Sequence, residues 1–461
     1  MTQSHTAWHT EFLEREVVDL CSTLIRFDTS NFGAGQSRGE RAAAEWVAGQ
    51  LTDCGYRPEV FESRPGRAST VVRIPGSDPS APALLVHGHL DVVPAAAEDW
   101  SFDPFSGEVR DGCVWGRGAL DMKDMDAMML AVARGFARTG TAPVRDLVLA
   151  FVADEEDTGE FGAGYLVEQH PELFEGVVSA IGESGGALTQ LPDGSPLYAV
   201  ATGERGSAWM TLTARGVAGH GSQRNPDNAV RTLVRTLTAL TDISWPVRRI
   251  PTVDALLDGI CGQLGIELDL SDPADLDRLG GARQLVDRTL SNTLNPTMLA
   301  AGYKVNVIPS EAVAHVDGRI LPGLEEEFFA AVDAVLPPSV TRTFDSYAPP
   351  VGSSHLSAEF ATITAALRAH DPDALVLPYC MGGGTDAKAF SKLGIDCYGF
   401  APGRFPTDFA MDQYVHGVDE RVPLDSLHFG VRVLDTYLRS APARHAPEPH
   451  PKASPVSEEI R

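Results

Sequence analysis

The stretch ALLVHGHLDVV, residues 83–93, is a short apolar run that stops on histidine and aspartate. Two later stretches are built the same way, DLVLAFVADEED (146–157) and GVVSAIGES (176–184). Each is rich in strand formers, short enough for a strand, and runs into carboxylates or histidine. Between the first two lies DMKDMDAMMLAVARGFARTG (121–140), whose apolar spacing predicts a helix. Continuous apolar strands alternating with helices predict an α/β fold, a mainly parallel sheet covered by helices. Ligands bind beyond the carboxyl ends of such strands. Here polar clusters occupy those ends three times.

After Glu204 the texture changes. SAWMTLTARG (207–216) alternates as a half-exposed strand does, and DNAVRTLVRTLTALTD (227–242) reads as a helix. KVNVIPSEAVAHVDGRIL (304–321) holds two strand-like runs and LEEEFFAAVDAVL (324–336) a helix. This predicts an inserted α+β lid or dimerisation domain with an antiparallel sheet over 204–347. The catalytic domain is then discontinuous, 1–203 and 348–440. Residues 441–461, rich in Pro, Ala and charge, read as a disordered tail.

The chain has 461 residues, 37 basic against 63 acidic side chains and a formal charge of −26. That balance points away from nucleic acid and from an anionic membrane, which both attract clustered Lys and Arg. Six cysteines without C-x-x-C pairs read as free thiols of a reducing compartment. The polar N-terminus lacks a signal-peptide core and no run reaches 18 apolar residues, so the expected location is cytoplasmic.

The strand ends carry the chemistry. His89 and Asp91 lie two apart, so both can point the same way. Asp121 precedes the helix in a Gly-rich turn, where an isolated Asp would read as an N-cap. ADEEDTG (153–159) sets four carboxylates in a row, Glu183 ends the third strand, and His416 lies in the polar loop MDQYVHGVDERV (411–422). Each has a bland reading as surface or loop. Together, two histidines and three carboxylates suit borderline cations such as zinc. Five ligands exceed what one tetrahedral catalytic ion takes, and suit two ions sharing a bridging carboxylate. One acid of the pair Glu155-Glu156 can then bind metal while its neighbour serves as general base. Gly182-Glu183-Ser184-Gly185-Gly186 also fits the G-x-S-x-G nucleophile elbow, but that motif needs a helix directly after it. GALTQLPDGSPLY (186–198) is broken by Pro192 and Gly194, so a serine hydrolase through Ser184 is disfavoured. His87 reads as packing within its strand, and Trp100 and Phe102 as packing beneath the metal loop.

In their order along residues 11–440, GHLDVVP, GRGALDMKD, DEE followed by G, GES, GHGS and HGVDE resemble the co-catalytic zinc metallohydrolases. That family comprises aminoacylases, succinyl-diaminopimelate desuccinylases and carboxypeptidase-G. The resemblance implies two zinc ions per subunit, with cobalt or manganese as substitutes. It implies that His89 and Glu183 bind one ion, Glu156 and His416 the other, and that Asp121 bridges them. It further implies that Asp91 orients His89, that Glu155 is the general base, and that a cis peptide follows Asp121. His220 in GHGS would reach the partner subunit's site and stabilise an oxyanion, which requires a homodimer. Asn306 and Arg319 would hold the substrate α-carboxylate, a task suited to the bidentate guanidinium. The glycine loop MGGGTDAKAF (381–390) would line the pocket, with Gly383, Thr385 and Asp386 as candidate contacts; it lacks the Gly-Lys-Ser/Thr of a P-loop. NFGAGQSRGE (31–40) follows no clear strand and does not read as a dinucleotide site. The extended 250–290 segment and SNTLNPTMLAAGYKVNVIP (291–309) are more similar to carboxypeptidase-S-type and N-acyl-amino-acid hydrolases than to desuccinylases. The expected substrate is a small N-acyl amino acid, with a dipeptide (dipeptidase or carboxypeptidase) as the alternative. A non-catalytic zinc-binding protein is the reading from another class, and a free Glu155 beside the ligands speaks against it.

Overall fold

A computed structural model describes the backbone of residues 2–440 and the side chains of residues 8–440. The tail at 441–461 lies outside the described residues. The three apolar runs form Ala83–His89, Leu147–Val152 and Val177–Gly182, which pair in parallel at the centre of a ten-stranded sheet. Register sets His89 beside Val152, so the residues that follow each strand emerge at one edge. Asp396–Gly399 extends the parallel core beside Val177–Gly182. Antiparallel strands flank it, Arg67–Ile74 on one side and Pro196–Glu204 on the other. The sheet is therefore mixed, with its parallel part where the chemistry-bearing ends gather.

Helices Thr2–Ile25, Lys123–Thr139 and Leu424–Leu438 bury one face of this sheet. The 121–140 periodicity is realised by Lys123–Thr139, closed by Gly140 in the left-handed region. A second cluster around Leu85, Val148, Leu166 and Phe390 covers the other face. Buried apolar strands of this kind lose far more water-exposed surface than edge strands, and they fix the sheet. His87 lies fully within that core against the Phe390 ring, 4.9 Å between centroids.

A separate antiparallel sheet has the order Thr293–Ala301, Glu311–Ile320, Gly206–Arg215, Val340–Ala348. Helices Ala229–Thr241 and Glu325–Val335 cover one face. This is the α+β unit beside the α/β sheet. The segment around 250–290 does not join it. Helix Pro251–Leu264 packs on Leu375–Met381, a strand of the large sheet, with Leu191 and Leu197 in the same apolar cluster. Gly259 lies against the Leu377 side chain, where a Cβ would sit 2.4 Å from Leu377 Cδ2 and push that methyl aside. Among the described residues, no helix is long and apolar enough to cross a membrane.

Candidate active site

At the carboxyl edge of the parallel strands, His89, Asp121, Glu156, Glu183 and His416 converge. Asp121 sits between the two imidazoles: His89 Nε2 is 3.0 Å from its Oδ1 and His416 Nε2 3.1 Å from its Oδ2. His416 Nε2 is 3.3 Å from Glu156 Oε2, and His89 Nε2 is 3.9 Å from Glu183 Oε2. Ligand atoms of His89, Asp121 and Glu156 lie within 4.8 Å of one another, as do those of His89, Glu155 and Glu183. Glu156 Oε1 is buried without a hydrogen-bond partner. Nitrogen and carboxylate donors in two adjoining groups, with an orphaned carboxylate oxygen among them, fit a pair of divalent cations. The helix begins at Lys123 with Met122 before it, so Asp121 is no N-cap and its carboxylate turns to the histidines. The Asp121–Met122 peptide is cis.

The electrostatics match a site built for cations. Hydrogen bonds that His416 donates to Asp121 and Glu156 raise its pKa to about 10. Burial pulls His89 down, but Asp121, Glu183 and Glu155 outweigh it and lift its pKa well above the usual value. Burial and the neighbouring Glu183 push Glu155 well up. Carboxylates crowded together away from water favour a shared proton or a metal.

Asp91 has a different geometry from the one expected. His89 Nδ1 meets the Asp91 backbone oxygen at 2.9 Å, while the carboxylate is 3.8 Å away. The backbone carbonyl therefore fixes the tautomer that frees Nε2 for the cluster. The Asp91 carboxylate instead accepts the backbone N–H of Glu155 (3.1 Å) and of Glu156 (3.2 Å), and the Asn31 amide (2.9 Å). It positions the two-glutamate turn.

Sequence reasoning missed this supporting layer. Asn31 also reaches Asp154, which Arg67 binds at 2.7 Å while its Nε holds Glu40 at 3.0 Å. Asp154 thus leaves the acidic run, with φ +71°, and faces away from the cluster. Glu420, inside HGVDE, takes Arg117 and the N–H groups of Gly118 and Leu120, which clamps the turn carrying Asp121. Arg117 also bonds the His416 carbonyl and lies over the Trp100 ring, so Trp100 packs beneath the loop. Phe102 packs edge-on against Trp100.

A cavity of about 760 Å³ opens on the cluster. Gly382, Gly383 and Gly384 form part of its wall. Thr385 and Asp386 do not line it, which corrects their reading as substrate contacts. The Thr385 N–H and hydroxyl both bond the buried Glu204 carboxylate, and Asp386 is buried, its pKa pushed up to about 8 by that burial. Once the loop's backbone turns inward to satisfy Glu204, their side chains follow. His220, Asn306 and Arg319 do not line the cavity of their own chain either. His220 pairs with Val307 beside Asn306 on a two-stranded ribbon, exposed, its Nδ1 2.8 Å from Ser222 Oγ. Arg319 bonds Asp317 at 2.8 and 3.1 Å. Ser184 is followed by the short strand Leu188–Gln190, not by a helix.

The chain belongs to Peptidase family M20/M25/M40, matched over residues 85–440. It is similar to the N-fatty-acyl-amino acid synthase/hydrolase PM20D1 of Xenopus tropicalis, 27% identical over 96% of this chain and 89% of that one. Aminoacylase-1 of Homo sapiens is 28% identical over 87% of this chain and 90% of its own length. The fold is also that of human carnosine dipeptidase 1, with a TM-score of 0.63 at 16% identity, covering 94% and 98% of the two chains. The protein is a hydrolase of amide or peptide bonds.

Proposed function

We propose that this chain is an aminoacylase-type metallohydrolase that cleaves the amide of an N-acyl amino acid. The observation that carries the reading is the convergence of five N/O ligands around Glu155 at the floor of one cavity. His89 and Glu183 would hold one ion, Glu156 and His416 the other, with Asp121 between them. Two divalent ions, zinc in this reading and cobalt or manganese as substitutes, would supply Lewis acidity and lower the pKa of a water. Glu155 takes the proton from the attacking water and hands it to the leaving amine. Burial and the neighbouring Glu183 raise its pKa, the direction that favours taking up a proton. His220 of a second subunit donates a hydrogen bond to the developing oxyanion, and Asn306 and Arg319 hold the α-carboxylate when that surface closes.

A homodimer through an inserted domain at 204–347, whose residues 251–287 pack back on the large sheet, against a catalytic domain of 1–203 and 348–440, completes the reading. Its support is the edge strand Thr293–Ala301, which exposes Met298 and Leu299 with no strand beyond it among the described residues. Exposed apolar edge strands pair with another chain. We place the protein in the cytoplasm.

A second reading, a dipeptidase, has its own observation. Asp124, Asp157 and Asp412 line the cavity besides the ligands, and surplus carboxylates suit a free ammonium group. The test is hydrolysis of N-acetyl amino acids, longer N-acyl amino acids and dipeptides by metal-free protein, with and without added zinc or cobalt. Metal-dependent turnover that is strongest on N-acyl amino acids supports the first reading, and turnover of dipeptides alone supports the second. Turnover indifferent to chelation overturns both.

A further inference from the structure

The cavity is acidic. Seven carboxylates line it, and Arg288 is the only Arg or Lys among the lining residues. A substrate carboxylate entering this field needs a cation of its own, because ions held at the floor would be matched by the carboxylates and histidines around them. Arg319 is engaged by Asp317 and stands outside the cavity. Arg288 differs on each point. It is exposed, lines the wall, and its guanidinium makes no hydrogen bond or ion pair among the described residues.

The surroundings hold Arg288 in place without using its charge. The buried Arg205 donates to the Arg288 backbone oxygen at 2.7 Å, and its other nitrogen bonds Thr293 Oγ1 at 2.8 Å and the Arg319 carbonyl at 3.0 Å. The aliphatic stem lies on Gly382, where a Cβ would sit 3.1 Å from Arg288 Cβ and 3.2 Å from its Cδ. Any side chain at 382 would press on the stem, so the glycine lets it lie close against the loop. A planar five-donor head on a packed stem is pre-organised for a carboxylate.

We propose that Arg288 docks a substrate carboxylate on the cavity wall and is a specificity-determining residue of this enzyme. The inference rests on the hydrolase reading above. The carboxylate is either the α-carboxylate next to the scissile amide, which Asn306 and Arg319 then share once their surface closes, or a second one on the amino-acid side chain.

The experiment compares wild type, Arg288→Ala and Arg288→Lys, each loaded with zinc, on N-acetylmethionine, N-acetylglutamate and their α-amides. Folding is checked by circular dichroism. In parallel, calorimetry measures N-acetylmethionine and N-acetylglutamate binding in an inactive Glu155→Gln background. The expected result is a KM or Kd raised roughly ten- to hundredfold by Arg288→Ala with kcat within about twofold, and partial recovery in Arg288→Lys. A loss on both acids that vanishes on both amides assigns the α-carboxylate. A loss confined to the two glutamate substrates assigns the side-chain carboxylate. If Arg288→Ala leaves both acids unchanged, or weakens all four compounds alike, the proposal is overturned while the hydrolase reading stands. If wild type turns over none of the four, the hydrolase reading falls, and this inference with it.

Discussion

At one end of the Leu147–Val152 strand, Arg145 is fully buried and every strong charge beside it is matched. Glu359 meets it through two bonds of 2.7 Å and also accepts from Ser179 and Tyr437. At the other end, Glu155 and Glu156 join Asp121 and Glu183, with two histidines as the facing partners. The same strand thus starts in compensated charge and ends in surplus charge. A buried pair whose carboxylate oxygens and terminal guanidinium nitrogens are all bonded serves to hold the fold. A cluster of like charges gains nothing for the fold, and burial pushes the Glu155 and Glu183 pKa values well up. The strand teaches which end acts and which end holds.

The largest effect should come from breaking the surplus end. Glu155→Gln is expected to lower kcat about 10²–10⁴-fold. Metal content by atomic absorption should stay at the wild-type value. The metal-free variant should melt at or above the wild type, because one repelling carboxylate is gone. A lower melting temperature would show that Glu155 belongs to the holding class.

Arg145→Met attacks the compensated end and should do the opposite. It strands the Glu359 carboxylate in the core and is expected to cost about 3–5 kcal/mol in urea unfolding. Turnover per folded molecule should not change. A loss of kcat at constant folded fraction would mean that the two ends communicate.

Asn31→Ala tests the layer between them. Asn31 bonds both Asp91 and Asp154, so its loss removes one donor from the carboxylate that positions Glu155 and Glu156. Supporting residues of this kind change metal affinity or activity by about 10–100-fold, so a fall in kcat or in zinc affinity at the low end of that range is expected. Zinc titration alongside kcat separates a misplaced Glu155 from a misplaced Glu156.

The sequence makes the acting end legible and leaves the holding end dark, for a physical reason. His89, Glu155, Glu156 and Glu183 each follow an apolar run directly, so strand direction alone brings them to one edge. Arg145 and Glu359 are 214 residues apart and Arg67 and Asp154 are 87 apart, and nothing local marks either pair. Asp154 is instructive: four successive acids look equivalent, yet a left-handed backbone turns the first toward Arg67. Thr385 and Asp386 were misread because a glycine loop shows where a backbone bends and not which side chains follow it inward. Residues 251–287 return to the large sheet through packing at Gly259 and Leu377, a fit of shape that carries no periodicity.

The smallest effect is the pH dependence of the metal-free protein, and it isolates one residue of the acting end. Asp121 and Glu156 hold the His416 pKa at about 10, above the ordinary 6.5. A group whose pKa rises on folding stabilises the fold fully below its unfolded value. That stabilisation fades as pH climbs through the folded value. The metal-free wild type should therefore lose melting temperature relative to His416→Gln between pH 6.5 and 10. The exposed half of the imbedded ring keeps the effect to a few degrees or less. Metal must displace that same proton, so zinc affinity should rise over the same interval and binding should release protons into the buffer. Parallel melting profiles for the two proteins would mean that His416 does not pair with these carboxylates. The acting end would then hold one histidine in its cluster, His89, and a pair of ions would lack its second nitrogen ligand.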